Sequence, residues 1–188
     1  MHTPPTKVAI QGDVASFHEI AAHEYYQIPI ELIYCRSFED VFNALVSGNA
    51  DRALVAVKNS SHGFIEEVSN LLNKNNVIVE GRYDLRIEQH LIGFANSKAN
   101  DIKTIISHPV ALSQCSLYIK NSLSNTRVQS FHDTAAAVAY IKELSDPSIA
   151  AIGSESAAQL YGMEIISRSI QNDSHNITTF QSLLVQKL

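Results

Sequence analysis

Apolar residues along this chain follow two alternating periods. Lys7 to Gln11 is a short apolar run ending at Gly12, and Ser16 then opens a helical stretch through Tyr26, as an N-cap does. Ile30 to Cys35 reads as the next strand. Behind it Phe38, Val41, Phe42 and Leu45 recur at i, i+3, i+4 and i+7, one face of a helix that stops at Gly48. Ala53 to Val57 is near-continuously apolar, as a strand buried on both faces would be. After a polar loop, Phe64, Val68, Leu71 and Leu72 mark another helical face.

The middle breaks this rhythm with a long extended stretch from Val77 to Phe94, suited to carrying the chain from one lobe to another. Alternation then resumes: a strand at Ile102–Ser107, a helix from Pro109 to Lys120, a strand near Val128 and a helix from Thr134 to Leu144. Ile149–Gly153 and Ser154–Tyr161 add a strand and a helix, and Thr178 to Gln186 alternates as a final strand. Strands interleaved with helices of this length predict an α/β fold of two lobes with mixed sheets and a cleft between them. Lobe 1 is expected over 1–82 plus about 165–188, and lobe 2 over about 83–164.

Composition narrows the function classes. The chain has 188 residues, 45% of them apolar, which suffices for one core or two small ones. A formal charge of −5 without any Lys/Arg run argues against a nucleic-acid or acidic-membrane partner. No segment approaches the roughly 20 apolar residues of a membrane span, and Met1 to Lys7 lacks the order of a secretory signal, so a cytoplasmic protein is expected. The Asn-x-Ser/Thr matches at Asn59, Asn172 and Asn176 then carry no glycosylation meaning. Cys35 and Cys115 lie far apart in apolar settings and read as buried free thiols.

Four loops at strand ends carry small polar residues, where open α/β sheets place ligands. Gly12 to Phe17 is not a G-x-G-x-x-G fingerprint, so no dinucleotide cofactor is expected; its Ser16 is either a plain cap or a cap that also touches ligand. Lys58 to Gly63 is rich in turn formers. Ser107-His108-Pro109 ends a strand and starts a helix whose free N–H groups suit an anion. Asn176 to Phe180 precedes the last strand. The eight histidines form no H-x-x-x-H or H-E-x-x-H pair and neither cysteine has a ligand-spaced partner, so no metal is expected. G-x-S-x-G and Walker sequences are also absent.

Several of these segments together resemble one family, the prephenate dehydratase catalytic domain. Ala9 to Gly12, Ser16-Phe17 and Ala21-Ala22 are similar to its Gly-Pro-x-Gly-Ser-Phe opening, and Val57-Lys58-Asn59-Ser60 with Gly63 to its Ile-Glu-Asn-Ser/Thr…Gly loop. Ser107 to Cys115 is close to Ser-His-Pro-x-Ala-Leu-x-Gln-Cys, the most specific match. Asp133 to Ala137, Ala151 to Glu155, Leu160 to Gly162 and Ile170 to Asn172 continue in the family's order. Asn176-Ile177-Thr178-Thr179-Phe180 resembles its Asn-x-Thr-Arg-Phe signature, with Thr179 in place of arginine.

The resemblance implies two lobes similar to the type II periplasmic-binding-protein fold, no cofactor, and conversion of prephenate to phenylpyruvate on the route to phenylalanine. It implies Thr178 as the catalytic donor to the leaving hydroxyl. Ser16, Lys58, Asn59, Ser60, Ser107, Asn176, Thr179 and Phe180 become the expected substrate-binding residues. Lys58 stands where the family has glutamate, and is expected to restore part of the charge lost at Thr179. A homodimer or homotetramer is expected by analogy. The resemblance is to the catalytic part and closes with the threonine signature, so that part without the small phenylalanine-binding regulatory (ACT) domain is expected. Two other readings stay open: a ring-retaining prephenate decarboxylase, and a binding or regulatory relative that lost turnover with the arginine.

Overall fold

The computed structural model describes residues 4–186. In chain order its elements are β1 (Thr6–Gln11), α1 (Phe17–Tyr25), β2 (Ile30–Cys35), α2 (Phe38–Val46), β3 (Arg52–Asn59), β4 (Gly63–Phe64), α3 (Glu66–Lys74) and β5 (Val77–Arg86). There follow β6 (His90–Gly93), a 3₁₀ turn (Ala99–Asp101), β7 (Thr104–Ser107), α4 (Pro109–Gln114), α5 (Ser116–Ser122), β8 (Arg127–Ser130) and α6 (Thr134–Leu144). The last are β9 (Ile149–Gly153), α7 (Glu155–Tyr161), β10 (Glu164–Ser167) and β11 (Ile177–Val185). No helix among the described residues is long and apolar enough to cross a membrane.

The described residues divide into two compact units, 4–13, 17–86 and 177–186, and 14–16 and 87–176. The divisions fall at Arg86/Ile87 and Asn176/Ile177, not near 82 and 165. β5 pairs with β11 out to Arg86↔Ile177, which keeps 83–86 in the first unit. β10 pairs antiparallel with β6, which keeps 164–167 in the second.

The first unit is built on a sheet ordered β2-β1-β3-β11-β5, with β4 added to β3. β1 is parallel to β2 and β3, while β11 runs antiparallel to β3 and β5, so the sheet is mixed. On one face, Val41, Phe42 and Leu45 of α2 and Val68 of α3 pack on Ala9, Ala53, Val55, Val57 and Leu183. Side chains alternate along β11, so Phe180 and Ser182 point to the other face. There α1 is fastened: the Ser182 hydroxyl donates to Glu80 Oε2 at 3.1 Å, and the Tyr26 hydroxyl therefore donates to Ser182 Oγ at 2.7 Å. Arg52 holds the Glu80 carboxyl below its usual range and binds it through two N–H groups.

Phe64 does not belong to the α3 face. It lies in β4, 70% exposed, with the Lys58 ammonium 5.2 Å from its ring centroid. Ile65 takes the inward position instead, and Ile65, Val68 and Leu72 give the spacing that meets the core.

The second unit carries a sheet ordered β10-β6-β9-β7-β8, again mixed. α6 begins at an N-cap, Asp133 Oδ1, which accepts from the Ala135 and Ala136 N–H groups. The single helix expected from Pro109 to Lys120 is two, α4 and α5, broken at Cys115. The Asn172 side chain makes the break: its amide nitrogen donates to the Ser113 carbonyl and Ser116 Oγ, and its oxygen accepts from the Leu117 N–H. A side chain that competes for the helical ladder interrupts it. Both cysteines are free and buried; burial pushes the Cys115 thiol up to about 12 and also raises Cys35. β4, β10 and the 3₁₀ turn were not expected, being too short to show a period.

Candidate active site

The start of β11 gathers much of the expected chemistry. Thr178 stands opposite Asn59 on β3 and Leu85 on β5, and Thr179 opposite Lys58 and Asp84. Ser60 closes this end of the ladder: its N–H donates to the Ile177 carbonyl at 2.8 Å, and its Oγ accepts from the Ile177 N–H at 2.9 Å.

The Asn59 amide has a determined orientation. Its Oδ1 accepts from the Ser61 N–H at 2.9 Å, and its Nδ2 donates to the Ile177 carbonyl at 3.3 Å. A backbone N–H can only donate and a carbonyl can only accept, so oxygen and nitrogen cannot be exchanged. The nitrogen that faces Thr178 Oγ1 at 2.9 Å is therefore a donor, and the threonine hydroxyl is the acceptor. Its own proton is left to be given to something else. Thr178 is 9% exposed, so that proton is held in a largely dry setting. No base contacts the hydroxyl among the described residues.

A β-bulge makes this pairing possible. Thr179 opposes Lys58, but Phe180 opposes Ala56, so Val57 is the extra residue on β3. Asn59 and Ala56 are three positions apart, and plain alternation would send them to opposite faces. The bulge lets Asn59 join Thr178 on the α1 face, while Ala56 still meets Phe180 there. Val57 and Lys58 take the other face, with Val57 in the α2/α3 core. Phe180 is 1% exposed, worth about 1.5–3 kcal/mol of burial at the position that anchors the strand.

His18, not foreseen from the sequence, holds the bulge from α1. Its Nε2 accepts from the Ala56 N–H at 3.3 Å, and its ring stands edge-on to Phe180 with centroids 5.1 Å apart. Burial pushes its pKa down to about 4, so the imidazole is neutral with its proton on Nδ1. A signal was present: His18, Ala21 and Ala22 share the i, i+3, i+4 inward stripe, and both alanines are wholly buried.

Lys58 and Thr179 lie apart from this group. Strand alternation puts both on the α2/α3 face, where the Thr179 hydroxyl donates to Asp84 Oδ1 at 2.5 Å and Lys58 covers Phe64.

The remaining expected residues belong to the second unit. Ser16 is buried. Ser107 is wholly buried and donates its hydroxyl proton to the Ile152 carbonyl at 2.6 Å, which leaves its lone pairs as acceptors. His108 caps α4, its Nδ1 accepting from the Val110 N–H at 3.3 Å; burial lowers its pKa. Ser154 caps α7 and donates to the Ala15 carbonyl at 3.0 Å. Asn176 is buried, and its Oδ1 accepts from Gln114 Nε2 at 3.3 Å while its carbonyl accepts from the Ile87 N–H. Gln114, Asn172 and Asn176 thus tie the 170–176 segment to α4. No cluster of three or more metal-ligating side chains occurs among the described residues.

Against known families, residues 8–187 match the prephenate dehydratase model. The chain belongs to the prephenate dehydratase family. Among curated relatives of this dehydratase-family chain, a bifunctional chorismate mutase/prephenate dehydratase of Buchnera aphidicola is 32% identical over 94% of the chain and 46% of its own length. Arogenate dehydratase 1 of Petunia hybrida is 36% identical over 97% of the chain and 43% of its own length. The chain therefore spans somewhat under half the length of these relatives. Among solved structures, prephenate dehydratase of Arthrobacter aurescens in complex with L-Phe shares the fold with a TM-score of 0.88 at 22% identity, covering 97% of this chain and 61% of that one. GqqA, described as a novel type of quorum-quenching acylase, is 26% identical with a TM-score of 0.82, covering 97% and 65%. A periplasmic substrate-binding protein from Coxiella burnetii matches at a TM-score of 0.53 and 11% identity, so the fold also resembles periplasmic-binding-protein domains.

Proposed function

We propose that the chain catalyses the decarboxylating dehydration of prephenate to phenylpyruvate, in phenylalanine biosynthesis, with Thr178 as the donor to the departing hydroxyl. The observation that carries this reading is the forced polarity of the Asn59–Thr178 hydrogen bond. Loss of carbon dioxide releases an electron pair into the ring, the ring becomes aromatic, and the hydroxyl leaves with a proton as water. Full proton transfer from a threonine is uphill; a hydrogen bond aimed at the oxygen as charge develops suffices to ease its departure. Asn59 keeps the threonine's proton outward, and Ser60 and Phe180 hold the strand that carries it.

Nucleophilic chemistry is less well supported, since a threonine nucleophile needs a base in contact. Asn59 gives Thr178 a donor instead. Ser16, Ser107 and Asn176 remain proposed substrate contacts, Ser107 through its acceptor side. We assign Lys58 and Thr179 to cross-strand pairing in preference to a grip on a carboxylate, because they share the face away from the Thr178 hydroxyl.

Two buried thiols of raised pKa suit a reducing compartment, which supports a cytoplasmic setting. The proposed homodimer or homotetramer rests on family analogy and is read directly by light scattering.

Purified protein mixed with prephenate at neutral pH tests the function. Phenylpyruvate is the expected product. A non-aromatic decarboxylated product would make it a decarboxylase, and unchanged substrate with measurable binding a ligand-binding relative. Because a relative carries the name arogenate dehydratase, the same assay with arogenate, read as phenylalanine, assigns the preferred substrate.

A further inference from the structure

We propose that His18 is a positioning residue for Thr178, acting as a latch on the β-bulge that brings Asn59 and Thr178 to one face. This rests on the dehydratase reading above. Ala56 lies beyond the last β1–β3 pair, Ile10↔Leu54, so its N–H has passed the end of that ladder. His18 Nε2 accepts it. The next residue, Val57, is the bulge residue, and its carbonyl accepts from the Ile65 N–H at 3.0 Å. The bulge is thus fixed on one side of β3 by an imidazole nitrogen and by the turn that leads into α3.

The same imidazole packs on Phe180, the residue that faces Ala56 across the bulge. Its other ring contact is Phe38, at 5.7 Å. One side chain therefore touches both partners at the step where the register shifts. Without an acceptor there, the buried Ala56 N–H is left unsatisfied, and β3 regains it by sliding toward plain alternation. That slide turns Asn59 away from Thr178 and frees the hydroxyl to rotate. Ser16, Ser107 and Asn176, the substrate contacts proposed above, lie off β3 and stay in place. The imidazole performs this task only as the neutral Nδ1–H tautomer, the form that burial favours.

Three proteins test the latch: wild type, His18→Leu, which keeps bulk but has no acceptor, and His18→Gln, whose amide oxygen can accept the same N–H. In His18→Leu we expect Ala56 amide exchange at least about tenfold faster. We also expect kcat on prephenate at least about tenfold lower, with KM within about threefold. His18→Gln should restore both. In wild type the imidazole ¹⁵N spectrum should show an unprotonated Nε2. An Nε2–H tautomer, unchanged Ala56 exchange or kcat in His18→Leu, or equal losses in both variants would overturn the latch. The tautomer spectrum needs neither a folded variant nor turnover. A wild type inert toward prephenate would overturn the dehydratase reading, and the spectrum and exchange rates would still decide the latch.

Discussion

Lys58 and Thr179 are direct cross-strand partners. Both are positions at which the chain departs from the dehydratase pattern it resembles, glutamate and arginine there becoming lysine and threonine here. Opposite charges facing one another across antiparallel strands form a stabilising pair, and like charges a destabilising one. The two departures therefore read as one change: with lysine at 58, an arginine at 179 would meet a like charge. Loss of the arginine then says little about loss of turnover.

A double-mutant cycle checks this. Thr179→Arg alone should gain little stability, because Asp84 attracts the new guanidinium and Lys58 repels it. Lys58→Glu with Thr179→Arg should show a favourable coupling of about 0.5–1 kcal/mol in urea unfolding. Zero coupling would mean the pair does not interact. Lys58→Ala should change KM for prephenate by less than about threefold.

Asn59 is predicted to matter through the direction of its hydrogen bond. Asn59→Ala should lower kcat about tenfold to a hundredfold, as the hydroxyl loses its orientation. Asn59→Asp keeps the shape but offers only acceptor oxygens to Thr178, so the threonine proton turns inward. Its kcat, measured at saturating prephenate, should fall further than that of the alanine variant. The reverse order would contradict the orientation argument.

Acid should weaken the first unit through His18. Its folded pKa of about 4 lies below the 6.5 of an exposed histidine, so between these values the unfolded chain binds more protons. Stability from this group is complete above pH 6.5 and is lost as pH falls toward 4, up to about 3 kcal/mol. Burial lowers His90 and His108 as well, with the same sign. Urea midpoints at pH 7 and 4.5 should differ less in His18→Gln than in wild type.

Gly81 marks a close approach that the sequence does not announce. A Cβ there would lie 2.1 Å from the Tyr25 hydroxyl. Gly81→Ala should destabilise by about 1–3 kcal/mol. Tyr25→Phe in the same chain should recover part of that loss, since it removes the atom that collides.

Much of the fold was legible because long periodic segments carry strong signals. β2, α6 and β9 follow the limits read from their apolar spacing. Phe64 misled because it completes a helical stripe on paper, while Lys58 and β4 hold it outside. The helix break at Cys115 depends on Asn172, far along the chain, and no local pattern reveals a distant side chain. In the site, motif residues gave Thr178 and Asn59 but not their relation. That relation depends on a bulge, and a bulge is a mismatch between two strands that neither strand's sequence shows alone. His18 escaped notice for a similar reason, as its partner is a backbone N–H.

The account rests on a threonine hydroxyl whose proton is kept outward and given to a departing oxygen. The direct measurement is kcat on prephenate for Thr178→Val beside Thr178→Ser, each checked for folding. Valine keeps the shape and removes the donor, so kcat should fall at least about a hundredfold; serine keeps the donor and should stay within about tenfold of wild type. A valine variant that turns over prephenate at the wild-type rate would contradict the account.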